Sequence, residues 1–243
     1  MSGLSERHCV VTGVTSGIGL ALAQKLVAAG ASVTGLGRSE ERLASLGAEL
    51  GPAFSSLTVD LAVPAERARA AAELTRAGRA VDVFVSNAAE AAYEAPLAIA
   101  PETFRRLFEI NVCAPLELCQ ALVPLLPPSG HVVQLSSVAA RFVPNAKFGP
   151  YAVTKAAVTG LVDALRLELA SRGLRVTSIA PGLVATPIYD DLPGFADVRR
   201  RLSEQVPDWL TPDDVADTIL WVLTRPPNVV ITELTVMPLG QAR

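Results

Sequence analysis

Tyr151 and Lys155 stand four positions apart in the stretch Pro150-Tyr-Ala-Val-Thr-Lys155, directly ahead of the apolar run AAVTGLVDALRLELA. On a helix that spacing puts both side chains on one face, one turn apart. A free phenol, with a pKa near 10, is a poor proton-transfer group at neutral pH. A neighbouring ammonium favours the phenolate and lowers that pKa, so the pair reads as a proton carrier with its tuner. Two polar residues on an exposed helix face would show the same spacing, and the pair acquires meaning only from what surrounds it.

Three further features supply that context. Thr12-Gly-Val-Thr-Ser-Gly-Ile-Gly19 follows the first apolar run with the spacing G-x-x-x-G-x-G. Glycines at a strand-to-helix turn let backbone approach a pyrophosphate, whose charge then sits at the helix N-terminus. Arg38 follows the second such run, where a carboxylate would select a ribose 2′-hydroxyl; a guanidinium suits a 2′-phosphate and so favours NADP over NAD. Asp60, after the third run, could accept from an adenine amino group or cap a helix. Asn111 precedes Pro115 by four residues in EINVCAP. Proline has no N–H and its ring clashes with the carbonyl four residues back, which predicts a kink and an Asn111 C=O without a helical partner.

Taken together, TGVTSGIG, SNAA at 86–89, Asn111, Ser137, YAVTK and PGLVAT at 181–186 occur in the order and approximate spacing of the short-chain dehydrogenase/reductase family. The chain resembles that family over nearly its whole length. The resemblance implies hydride transfer between a nicotinamide and a ketone, aldehyde or alcohol, with Asn111, Ser137, Tyr151 and Lys155 as the catalytic set. In it Tyr151 moves the proton, Lys155 together with the charge of an oxidised nicotinamide lowers its pKa, Lys155 also holds the cofactor ribose, Ser137 orients the carbonyl, and the Asn111 C=O holds a water in a relay. Ser136 competes with Ser137 because the interval to Tyr151 is about one residue longer than the family's; strand alternation and the family pattern favour Ser137.

The implied cofactor is NADP(H), with NAD(H) as the alternative. Its expected contacts are Gly13, Thr15, Ser16, Gly17, Ile18, Gly19, Arg38, Asp60, Leu61, Asn87, Ala88, Ala89, Tyr151, Lys155, Pro181, Gly182, Val184 and Thr186. Ala89 stands where the family has glycine, which predicts a local adjustment. The expected substrate contacts are Ser137, Val138, Phe148, Tyr151 and Tyr189, with Glu90 and Arg141 as the nearest charges. Arg141 is a candidate receiver for a carboxylate, and RPPNVVITELTVMP resembles the branch that oxidises small 3-hydroxy acids.

Positioning these residues requires a sheet. Seven short β-branched runs alternate with longer helical ones, as in HCVVTG then GIGLALAQKLVAAG and ASVTGLG then SEERLASLGAEL. Near-continuous apolar strands belong to a parallel sheet covered on both faces. The fold class is therefore α/β: one doubly wound Rossmann domain over residues 1–243, seven parallel strands in the order 3-2-1-4-5-6-7. Helices are expected at 101–126 and 151–172, and Thr211 caps another. The proline-interrupted stretch 186–208 reads as an irregular lid.

With 50% hydrophobic residues the chain has material for a large core, and a net charge of −3 with scattered Lys and Arg offers no nucleic-acid footprint. No run approaches a membrane span. Cys9, Cys113 and Cys119 read as buried, reduced thiols of a cytoplasmic protein. Family precedent implies a homodimer or homotetramer acting on a small molecule. Two other readings are a non-catalytic dinucleotide-binding regulator and a non-redox enzyme on the same fold; the intact tyrosine, lysine and glycines argue against both.

Overall fold

In the computed structural model, which describes residues 4–190 and 192–241, the seven runs become strands of one parallel sheet. They are β1 (His8–Thr12), β2 (Ser32–Gly37), β3 (Phe54–Thr58), β4 (Val83–Ser86), β5 (His131–Leu135), β6 (Arg175–Pro181) and β7 (Glu233–Val236). Their order is β3-β2-β1-β4-β5-β6-β7, as expected. β1 pairs with β2 from His8↔Ser32 to Thr12↔Leu36 and with β4 from Cys9↔Val83 to Val11↔Val85. Winding thus reverses between β1 and β4, where an open α/β sheet forms a crevice at its carboxyl edge.

Successive strand residues point to opposite faces, so each strand feeds two cores. Cys9, Val11 and Val33 join one core with Leu22 and Leu26 of α1 (Gly17–Ala28), Leu43 and Leu46 of α2 (Glu40–Leu50), and three fully buried residues of a C-terminal helix, Val215, Ala216 and Ile219. Val10 and Leu36 join the other, with Leu74 of α3 (Pro64–Arg76), further helices between β4 and β6, and β5 residue Val132. Each fully buried leucine contributes about 1.5–3 kcal/mol over an exposed one.

The 101–126 stretch is not one kinked helix. α4 (Pro101–Phe108) passes into a π turn (Glu109–Cys113) and then into α5 (Ala114–Leu122). Pro115 cannot donate to Asn111, and the chain accommodates the missing bond by widening locally. The helical stretch Pro101–Leu125 is long and apolar enough to cross a membrane by length and composition, but half of its most apolar window is buried in the fold, as in a core helix.

α6 (Gly149–Leu169) carries Tyr151 and Lys155. The 186–208 stretch is less irregular than expected, for it contains a short turn of helix at Pro187–Tyr189 and α7 (Ala196–Gln205). Asp191, within that stretch, lies outside the described residues. Cys9 and Cys119 are buried and free, whereas Cys113 is only partly buried; burial raises the pKa of all three thiols, to about 12 for Cys9 and Cys119.

α8 (Pro212–Leu223) begins at Thr211 with a capping box: the Asp214 N–H donates to Thr211 Oγ1 at 3.2 Å, and the Thr211 N–H to Asp214 Oδ2 at 2.7 Å. Thr211→Ala is expected to lower stability by about 1 kcal/mol. A urea midpoint equal to that of the parent would show that the cap contributes nothing.

Candidate active site

Two loops at the carboxyl edge are fastened to each other before any ligand is considered. Thr12 Oγ1 accepts the N–H groups of Asn87 and Ala88 at 3.0 and 2.9 Å, and Asn87 Nδ2 donates to Thr12 O at 2.9 Å and Gly13 O at 3.4 Å. Gly13 has φ +73°, and a Cβ on Gly19 would lie 2.2 Å from Gly13 O. Both glycines are demanded by this packing.

Behind the turn, the N-cap Ser16 makes no side-chain cap bond, and the first turn of α1 holds no acid. α2, by contrast, opens on Glu40 and Glu41 behind a Ser39 cap. The first-turn N–H groups of α1 therefore retain their positive partial charge.

A cleft of about 410 Å³ runs along this edge. Gly13, Thr15, Ser16, Gly17 and Ile18 of the glycine turn line it, with Gly37, Arg38, Asp60 and Leu61, with Asn87, Ala88 and Ala89, and with Thr186, whose side chain lies beside Gly17. Ser39, Arg42, Glu90, Ile110, Pro187 and Ile188 also line it. Arg42, on the first turn of α2, was not anticipated, because Arg38 precedes the helix cap Ser39 and no helical interval joins the two. Gly19, Tyr151, Lys155, Pro181, Gly182 and Val184 are not among the lining residues: Gly19 is packed against Gly13 O, Lys155 is buried, Pro181 ends β6, Val184 is buried, and the intervening Leu183 N–H donates to Gln241 Oε1 at 2.8 Å. Asp60 is tied into its own turn, with Oδ1 accepting the Ala62 N–H at 2.9 Å.

Tyr151, Lys155 and Ser137 do converge. Lys155, 2% exposed, has Nζ 5.8 Å from the Tyr151 ring centroid and donates to Leu135 O at 2.9 Å. Ser136 turns away onto α6, its hydroxyl donating to Lys155 O at 3.4 Å and lying 3.1 Å from Thr159 Oγ1. Ser137 is the serine that faces the Tyr151 phenol, and its influence favours the phenolate.

In the chain alone, without the nicotinamide charge on which the expected lowering also draws, the Tyr151 pKa is raised. Burial pushes the phenol well above its ordinary value and nearby Tyr189 adds to the rise; Ser137 opposes them but does not prevail. Burial also pulls Lys155 down to about 8.

Asn111, 1% exposed, is bonded through its side chain. Oδ1 accepts the Glu90 N–H at 2.9 Å, while Nδ2 donates to Glu90 O and to Thr154 Oγ1, each at 2.9 Å. Thr154 in turn donates to Tyr151 O at 2.8 Å. Asn111 is thereby joined to both the 87–90 loop and the tyrosine's helix, a long-range connection that the proline argument did not reveal.

Among the expected substrate contacts, Val138 and Phe148 are buried, and only Tyr189 adds partly open surface beside Ser137 and Tyr151. Phe148 and Tyr93 stack edge-on at 5.1 Å, and both pack on the fully buried Phe195, which Tyr189 covers at 5.2 Å. Arg141 is engaged by Glu233 of β7 through two hydrogen bonds, one of 3.0 Å, so it is not a free carboxylate receiver. Glu90 is likewise paired, accepting from Arg106 Nε at 3.1 Å.

Residues 7–194 match the family model described as short chain dehydrogenase. A serine 3-dehydrogenase of Agrobacterium fabrum is 36% identical over 242 residues, covering 96% of this chain and 94% of that protein. A probable NADP-dependent dehydrogenase of Haemophilus influenzae is 31% identical, with the same coverage. Among solved structures, the closed form of a serine dehydrogenase complexed with NADP+ superposes with a TM-score of 0.89 at 30% identity, covering 97% of this chain and 96% of that one. This protein, with its glycine turn, its Tyr151–Lys155 helix and its sheet order, belongs to the short-chain dehydrogenase/reductase family.

Proposed function

We propose that this protein is an NADP(H)-dependent oxidoreductase that interconverts a ketone or aldehyde and the corresponding alcohol, with Tyr151 as general acid/base. The observation that carries the reading is the meeting of Tyr151, Ser137 and Lys155 at the same sheet edge as the glycine-lined cleft.

The residues present fit the cofactor. The turn Gly13–Gly19 and the uncapped start of α1 suit a pyrophosphate. Arg38 and Arg42, beside Ser39, suit a 2′-phosphate. Asp60 and Leu61 would flank the adenine, Asn87, Ala88 and Ala89 the adjoining ribose, and Lys155 and Thr186 the nicotinamide half. Pro181, Gly182 and Val184 would act through the shape of the loop that presents Thr186. When bound, the nicotinamide supplies or receives the hydride.

The remaining chemistry belongs to the chain. Tyr151, protonated by virtue of its burial, gives its proton to the carbonyl oxygen in reduction and must receive it back in oxidation. Ser137 donates a hydrogen bond to the same oxygen and fixes it beside the phenol. Lys155 holds positive charge below pH about 8 and steadies the phenolate left by proton transfer. Asn111 keeps the 87–90 loop and α6 in register; in this structure that role rests on its side chain.

A second substrate reading, oxidation of a small 3-hydroxy acid, is favoured by the serine 3-dehydrogenase relatives. It requires the carboxylate to draw Arg141 from Glu233 or to use another donor. An assay of NADPH and NADH against ketones and aldehydes, and of both oxidised cofactors against alcohols and L-serine, separates the two. Inactivity across the whole panel would favour the regulator alternative. The 186–208 stretch is proposed as the lid of a single-domain enzyme, cytoplasmic and homodimeric or homotetrameric; Val153 and Leu167, exposed on α6, support the oligomer.

The paired change Arg38→Ala and Arg42→Ala is expected to raise the Kd for NADPH about 10- to 100-fold, the equivalent of about 1.5–3 kcal/mol for lost bonds to a charged group. Its effect on NADH should stay within about twofold, since that cofactor carries no 2′-phosphate. Tighter binding of NADH than of NADPH by the parent protein would reverse the assignment.

A further inference from the structure

Arg67 is 2% exposed, yet nothing in the site as described accounts for a guanidinium in the interior of α3. Such a group is tolerated when its donors are matched, and here they are. Nε and Nη2 grip the two carboxylate oxygens of Glu117 at 2.7 and 2.8 Å; Nη2 also donates to Glu109 Oε2 at 2.7 Å, and Nη1 to Leu61 O at 2.8 Å.

These partners lie on three different elements. Leu61 and Asp60 line the cleft, and the neighbouring Glu66 accepts the Asp60 N–H at 2.6 Å, so two consecutive residues of α3 hold that wall from behind. Glu109 opens the π turn, whose next residues are Ile110, also in the cleft wall, and Asn111, which grips Glu90. Glu117 anchors the fork to α5. The Glu109 and Glu117 side chains are 38% and 43% exposed, so the ion pairs alone add little stability. A planar fork adds direction, because each acceptor must lie where its N–H points.

We propose that Arg67 is a positioning residue: its ion cluster with Glu109 and Glu117 sets the spacing between the Asp60–Leu61 wall and the π turn, and so holds the cofactor seat and Asn111 in one frame. The proposal rests on the oxidoreductase reading for its consequence in catalysis, but the linkage itself belongs to the protein alone.

The test compares Arg67→Met, Arg67→Lys and Glu109→Gln with the parent and with the exposed control Arg76→Ala. Three quantities are read: amide hydrogen exchange over 59–62 and 109–113 without added cofactor, the Kd for NADPH by fluorescence, and kcat and KM. Arg67→Met should speed exchange in both segments, raise the Kd about tenfold and lower kcat, within the range for residues that couple sites without touching ligand. Arg67→Lys should recover part of each effect.

Glu109→Gln, which leaves Arg67 bound to Glu117 and Leu61, should speed exchange only at 109–113 and lower kcat about fivefold, with the NADPH Kd unchanged within about twofold. Exchange that rises evenly across the protein, or not at all, in Glu109→Gln and Arg67→Lys overturns the proposal even if Arg67→Met fails to fold. So does a Glu109→Gln protein whose kcat and Kd are those of the parent. If the parent binds no NADPH, the oxidoreductase reading falls, while the exchange measurements still decide the linkage.

Discussion

Tyr151→Phe is expected to lower kcat by about two to four orders of magnitude, the share typical of a positioned proton-transfer group, while leaving the Kd for NADPH within about twofold. The substitution removes one oxygen and keeps the ring, so the packing near Lys155 Nζ, 5.8 Å from the ring centroid, survives. What goes is the hydroxyl that Ser137 faces, the group that delivers the proton. Loss confined to kcat marks an interaction made in the transition state. A variant that turns over at the parental rate would remove Tyr151 from the mechanism. A variant that fails to bind NADPH would instead show that the ring, and not the proton, is what the site needs.

The second large effect arises at the opposite edge of the sheet, where both histidines of the chain are buried. Thr177 Oγ1 donates to Ile231 O at 2.6 Å, so the 2.7 Å contact between Thr177 Oγ1 and His131 Nε2 takes its proton from the imidazole. His131 Nδ1 is then an unprotonated nitrogen with no partner. Burial, followed by the charges of Arg175 and Arg7, pulls His131 down to about 3; burial also lowers His8, which lies 2.9 Å from Ala80 O and 2.8 Å from Thr34 Oγ1.

A histidine whose folded pKa is depressed stays neutral in the native protein while the unfolded chain takes up a proton near pH 6.5. Stability is therefore present above that value and is lost as pH falls toward about 3. His131 alone is expected to cost about 2 kcal/mol between pH 7 and pH 5, and His8 acts in the same direction. Urea midpoints at the two pH values read this directly. Equal midpoints would place both imidazoles in water, contrary to their burial.

How much of this was legible depended on the range of the interaction. The glycine turn, the strand rhythm and the Tyr151–Lys155 spacing are local patterns, and they led to the correct sheet order and to residues that do converge. α7 was missed because ADVRRRLSEQ offers only Val198 and Leu202 as large apolar residues, too few for a helical stripe, beside three arginines. Pro115 signalled a break in the helix, but not that Asn111 would clasp Glu90, since that contact joins segments 21 residues apart. Nothing local distinguishes Arg67 from the other scattered arginines, since its partner Glu117 on α5 lies 50 residues away. The sign of the Tyr151 shift turned on burial, which no interval between residues encodes.

The aromatic packing beside the substrate region also gives this protein an optical property. Of its two tryptophans, Trp221 is exposed on α8 with the Arg225 guanidinium 4.4 Å from its ring centre, remote in kind from the ring stack. Trp209 follows the 186–208 stretch, edge-on to Tyr189 at 5.9 Å and 5.8 Å from the guanidinium of Arg199 on α7. With Trp221→Phe the chain carries a single indole fluorophore, already wired to the segment that borders Tyr151. Its emission becomes a label-free gauge of whether that segment is docked, readable in a stopped-flow instrument without attaching any dye.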